Sequence, residues 1–111
     1  MSERLPKLLI ADIIESSNKI LQYTEGLSYY EFIENHLVRD AVMRNFEIIG
    51  EAAKRLPEEI KYKNSDIDWI GICGFRNRIA HDYFGIEYRI VWLIKESFLP
   101  DLLLKMKQIE L

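Results

Sequence analysis

Apolar residues in this chain recur almost everywhere at helical spacing, and glycine and proline interrupt them rarely: 5 Gly and 3 Pro in 111 residues. That spacing constrains the fold more than any other feature, because an apolar stripe with a period near 3.6 buries as a helix face and not as a strand. Nowhere do apolar and polar residues alternate over a useful length, so strands are not expected. In the first predicted helix, Leu5 to Glu25, Leu5, Leu9, Ile13 and Ile20 form the stripe, with Ile10, Ile14 and Leu21 widening it; Gly26 stands where a C-terminal cap belongs. Ser28-Tyr29-Tyr30-Glu31 reads as a capping box opening a short helix that ends near Asn35. A longer helix follows from Leu37 to Leu56, with Val38, Val42, Ile49, Ala53 and Leu56 on its apolar face, and Pro57 stops it. Gly50 inside it lowers helix propensity by about 1 kcal/mol against Ala. A second helix passing closely there, beside Ala52 and Ala53, would account for it.

Glu58 to Asp66 is polar and is expected as a loop. Ser65 or Asp66 can cap a further helix carrying Ile67, Ile70 and Phe75 and reaching Ile79 or His81. Gly85 breaks the pattern. A last helical stretch begins near Ile86 or Glu87, carries Ile90, Val91, Leu93 and Ile94, and is kinked or restarted at Leu99 by Pro100 before Leu102 to Ile109. The expectation is all-α: one domain over 1–111, an up-and-down bundle of four main helices plus short ones. Hydrophobic residues at 49% and charged residues at 30% are those of a globular chain. No signal peptide and no membrane-length apolar run is apparent, and a soluble cytoplasmic protein is the expectation.

The formal net charge of -3 argues against coating nucleic acid through bulk positive charge, but leaves room for a local basic cleft. The single cysteine, Cys73, excludes an intrachain disulfide, and its apolar setting reads as packing. His36 and His81 are far apart and lie in no metal-ligand pattern, so no metal site and no cofactor are expected. Phosphate-loop, dinucleotide and nucleophile-elbow signatures are absent.

Chemistry concentrates in Arg76-Asn77-Arg78-Ile79-Ala80-His81-Asp82-Tyr83. Arginine holds phosphate with paired donors and stays charged. Histidine gives and takes protons near neutral pH. Metal-free RNA cleavage needs those two roles: proton transfer at the ribose 2′-hydroxyl or leaving oxygen, and stabilisation of charge on the phosphate. On a straight helix, however, residues five apart lie roughly 140° apart around the axis. Arg76 and His81 therefore act together only if the helix ends or bends near Ala80, or if a two-fold dimer sets one chain's arginine beside the other's histidine. Asn77 shares a face with His81, Arg76 with Tyr83, and Arg78 can pair with Asp82. The alternative is a plain helix end, with surface arginines and His81 as a C-terminal cap.

Arg76, four residues, His81, one residue and Tyr83 resemble the Arg-x4-His-x-Tyr motif of HepT-like proteins in the HEPN superfamily. The similarity extends to Leu8-Leu9-Ile10-Ala11-Asp12-Ile13, to Ile49-Gly50-Glu51-Ala52-Ala53-Lys54 and to the Leu99-Pro100 break. The resemblance implies a HEPN-like bundle that forms a homodimer and cleaves RNA without metal at the dimer cleft, as a toxin. It implies an MNT-type nucleotidyltransferase antitoxin as partner, silencing the toxin by transferring AMP to the tyrosine. Carried over, it makes Arg76 and His81 catalytic and Tyr83 the modification site, with Asn77 in the polar position after the motif arginine as a supporting residue; Arg78 is expected to support the site as well. HEPN domains also serve as non-catalytic modules, so docking of a nucleotidyltransferase, or nucleotide binding through Arg76 and Arg78, stands as the alternative.

Among the other polar residues, Glu51 is expected to pair with Arg44 or Arg39, and Asp12 to be structural. Trp69 and Trp92 are expected in the core or a dimer contact. Lys54-Arg55, Lys61-Lys63 and His36 are expected on solvated faces.

Overall fold

The computed structural model describes residues 4–81 and 87–111. Within them the chain is helical throughout: α1 (Pro6–Thr24), α2 (Tyr29–Glu34), α3 (His36–Arg55), α4 (Glu58–Lys63), α5 (Trp69–His81), α6 (Tyr88–Ser97) and α7 (Leu99–Lys107). Three long helices and the interrupted α6–α7 pair make the four main members expected from the apolar spacing. α3 is the central one. It packs against α1 and α5, α7 returns against α1, and α2 bridges α3 and α6.

Local chemistry sets most boundaries. Gly26 has φ +76°, so α1 ends in a conformation that a side chain would disfavour. The Ser28 hydroxyl accepts the Glu31 N–H at 3.2 Å while the Glu31 carboxylate accepts the Ser28 N–H at 2.9 Å, completing the expected capping box. Asn35 then caps α3 by accepting the Val38 N–H at 3.1 Å. The last stretch restarts at Leu99 as expected: Phe98 donates back to Ile94 at 2.9 Å, and Pro100 stands in the first turn of α7, where no amide is needed.

Four expectations change. The stretch expected as a loop from Glu58 carries α4, because Ile60 reaches the core, two glutamates open the helix and two lysines close it. The cap of α5 is Asp68, not Ser65 or Asp66: its carboxylate accepts the Gly71 N–H at 2.9 Å, and Ile67 is drawn into the core by a turn closing on Asn64. Leu5 is 58% exposed because it precedes α1 and contributes its carbonyl to Leu8 and Leu9 rather than its side chain to the core. Ile70 is 88% exposed, and Leu93 lies on the open side of α6. The last stretch begins where expected, with Glu87 as the N-terminal cap position of α6; Ile86 and Gly85 lie outside the described residues.

The core runs through Ile13, Ile20, Phe32, Val42, Met43, Ile49, Ala53, Ile79, Val91, Leu99 and Met106. Trp69 is buried, and its indole N–H donates to the Asn64 carbonyl at 3.1 Å. Trp92 packs against Phe32 and Tyr29, with the Lys95 ammonium 3.6 Å from its ring centre. Neither indole is a free platform for a base.

Candidate active site

Gly50 decides where Arg76 goes. A Cβ added to Gly50 would collide with Cβ and Cγ of Arg76 and lie 3.4 Å from its Cα. The α3 backbone therefore meets α5 at residue 76 with no room for a methyl group between them, as the glycine in mid-helix suggested. Held there, Arg76 extends towards Glu51, its Nη2 lying 3.1 Å from the carboxylate. Its Nη1 donates to the Asn77 side-chain oxygen at 3.3 Å, while Nε is sheltered with no hydrogen-bond partner among the described residues. Glu51 is shared, since Arg55 Nε approaches its other oxygen at 3.4 Å. The expected partners take other roles: Arg44 lies 3.8 Å from Glu47, and Arg39 donates to the Ile33 carbonyl and stacks on Tyr88.

These groups line a cavity of about 210 Å³ whose charged residues are Arg4, Asp12, Arg44, Glu47, Glu51, Arg55 and Arg76. Asp12 has the structural role expected of it, gripping Arg4 at 2.7 and 3.0 Å. That hydrogen bond raises the Arg4 guanidinium pKa further above its already high range. Sequence reasoning assigned the cavity neither Arg4 nor Arg55. The available signal was the spacing of Arg44, Ile48, Glu51 and Arg55, which puts all four on one face of α3.

α5 remains helical through His81, so no break near Ala80 turns His81 towards Arg76. The two residues stay roughly 140° apart around the axis and about 7.5 Å apart along it. Arg76 points into the cavity between helices, and His81 is exposed at the C-terminal end of α5. Asn77 and Arg78 are exposed as well. Arg78 and His81 form the basic last turn of α5, where the helix dipole favours positive charge. Tyr83, and the Asp82 partner foreseen for Arg78, lie outside the described residues. Among the described residues no group of His, Cys, Asp and Glu could hold a metal ion, and no helix is long and apolar enough to cross a membrane.

Comparison with known proteins settles the family. The model of the family described as ribonuclease HepT-like matches residues 13–109. The chain belongs to the ribonuclease HepT-like family. It is 38% identical over 102 residues to a Methanocaldococcus jannaschii protein named "putative RNase", an alignment covering 92% of this chain and 94% of that one. A Caldanaerobacter subterraneus protein with the same designation is 34% identical over 108 residues, covering 96% and 95%. A "probable ribonuclease HepT" of Thermococcus cleftensis is 31% identical over 100 residues, covering 90% and 91%. No solved structure matches.

Proposed function

We propose that this HepT-like chain is a cytoplasmic, metal-independent endoribonuclease, the toxin half of a pair with an MNT-type nucleotidyltransferase. The observation that carries the reading is the placing of Arg76. In a family whose relatives bear ribonuclease names, the motif arginine is fixed by a glycine slot inside a charged cavity, and the motif histidine stands in solvent on the same helix. In the proposed reaction the ribose 2′-oxygen attacks phosphorus, a base takes its proton, and the departing 5′-oxygen leaves with a proton from an acid. His81 supplies proton transfer, and Arg76, supported by Asn77 and Arg78, stabilises charge on the phosphoryl oxygens. Because a helical α5 keeps Arg76 and His81 on different faces, the working site takes them from two copies of the chain in a homodimer. Silencing acts by transfer of AMP to Tyr83, adding a bulky anion two residues from His81.

RNA cleavage by purified protein in EDTA, wild type beside His81→Ala, tests this. Wild type cleaves, and the variant loses about 10²- to 10⁴-fold in rate with an unchanged melting temperature, since His81 is exposed. Strict dependence on added Mg²⁺ would contradict the mechanism. Absence of cleavage in a chain that intact-mass measurement shows to be free of AMP would favour a non-catalytic module that docks the nucleotidyltransferase.

A further inference from the structure

The cavity beside Arg76 contains more cationic charge than its carboxylates match. Among the described residues its lining brings four arginines, Arg4, Arg44, Arg55 and Arg76, against three carboxylates, Asp12, Glu47 and Glu51. Two of the arginines have a carboxylate to themselves: Arg4 has Asp12, and Arg44 has Glu47. Arg55 and Arg76 share Glu51, one guanidinium on each oxygen. The excess positive charge therefore sits at one place, in a chain whose formal net charge is -3. In the Glu51-bound pose the sheltered Arg76 Nε has no hydrogen-bond partner among the described residues. Arg55 is the more open of the two, its side chain 61% exposed against 26% for Arg76.

We propose that Arg55 is a second phosphate-binding residue of this site, gripping the RNA phosphate next to the one held by Arg76, with Glu51 as the positioning residue that spaces the two guanidiniums. The proposal rests on the ribonuclease reading and extends it. Each guanidinium meets one oxygen of the same carboxylate, at 3.1 and 3.4 Å, which keeps the two close enough together to meet one strand. A phosphate contact adds sequence-independent affinity and sets the strand's register without reading a base. The anionic strand displaces the carboxylate from part of its contact with each guanidinium, and the cavity's single excess charge favours that exchange. A plain i, i+4 surface pair between Glu51 and Arg55 would have no bearing on RNA.

The experiment measures fluorescence anisotropy of a labelled single-stranded oligoribonucleotide on full-length protein in a His81→Ala background, across a salt series. Arg55→Ala is expected to weaken binding about three- to tenfold and to lower the salt slope by about one; Arg55→Lys should restore the slope and only part of the affinity. Unchanged affinity and slope in Arg55→Ala would overturn the proposal while leaving the ribonuclease reading standing. Failure of the parent protein to bind RNA at all would remove that reading, and this proposal with it. For Glu51, cleavage kinetics of Glu51→Gln in the otherwise native chain separate positioning from support of the fold. Positioning predicts a lower kcat with KM unchanged or lower, because a repelling carboxylate is gone while Arg76 is held less firmly. An unchanged kcat would remove Glu51 from the proposal.

Discussion

Two cavities of nearly equal size flank the seam between α3 and α5, and they differ in the charge of their linings. The one of about 210 Å³ is lined by four arginines and three carboxylates over an apolar floor of Leu9, Ile48 and Ala52. The other, about 200 Å³, is lined by Phe46, Ile49, Ile72, Phe75, Ile94, Phe98, Leu99 and Leu102, with Asp68 and Gly71 at its edge. Adjacent residues of α5 separate them: Phe75 lines the apolar cavity and Arg76 the charged one. One step along a helix turns the side chain by about 100°, enough here to pass from packing to chemistry. On the proposed reading, neighbours in sequence take on separable tasks, stability on one side of the seam and substrate on the other.

That separation can be broken or sharpened by substitution. The largest effects belong to the pair Phe46→Ala and Arg76→Ala. Phe46 is 5% exposed and meets Phe75 edge-to-face at 5.2 Å. Its loss should lower unfolding free energy by about 3–5 kcal/mol in urea titrations, leaving cleavage by the folded fraction nearly intact. Arg76→Ala should do the converse, reducing kcat about 10²- to 10³-fold with a small change in midpoint. Equal effects of both variants on both quantities would collapse the distinction.

Gly50→Ala should fall in between and affect both sides. Alanine is the better helix former, yet the added methyl meets Cβ and Cγ of Arg76, the base of the side chain rather than its mobile end. Overpacking of this kind destabilises by about 1–3 kcal/mol, and the same displacement moves Arg76 off Glu51. Denaturant midpoint and kcat should fall together, and a stabilised, fully active variant would disprove the close approach.

The smallest effect lies away from both cavities and serves as a control. The Ser28 N–H, and then its hydroxyl, hold the Glu31 carboxyl below the usual carboxylate range. A carboxyl with a lowered folded pKa contributes stability that is complete above its unfolded pKa, about 4.3, and is lost as pH falls through the lower folded value. Thermal melts from pH 6 to 3 should show a slightly shallower acid-side decline for Glu31→Gln, with RNA cleavage at neutral pH unchanged.

Much of this organisation is legible in the sequence where a single residue enforces it. Gly26, Ser28 with Glu31, Pro57 and Pro100 each end or begin a helix by local chemistry, and each does so where expected. Gly50 was legible in a subtler way, as a mid-helix defect that only a close neighbour explains. The misses share another cause. Leu5 and Ile70 obey helical spacing yet remain exposed, because spacing says that a face exists and not which neighbour covers it. α4 shows no helical period, because Ile60 is the single aliphatic residue that anchors it to the core. Arg76 and His81 stand out as residue types, but the partners of Glu51 do not: Arg55 meets it through the i, i+4 spacing of α3, whereas Arg76 comes from another helix, a partnership that only the packing of α3 against α5 decides.

The Gly50 slot also bears on how this site tolerates change. Arg76 is located by the α3 backbone at Gly50 against the base of its own side chain, Cβ and Cγ, and not by the fit of variable core side chains. Exchange of one aliphatic core residue for another elsewhere in the bundle alters volumes but leaves that landmark in place. A slip of α5 by one residue would bring Asn77 to the notch and carry the guanidinium away from the Glu51 carboxylate. The notch thus works as an index mark between two helices, letting the interior drift in composition while the arginine keeps its address.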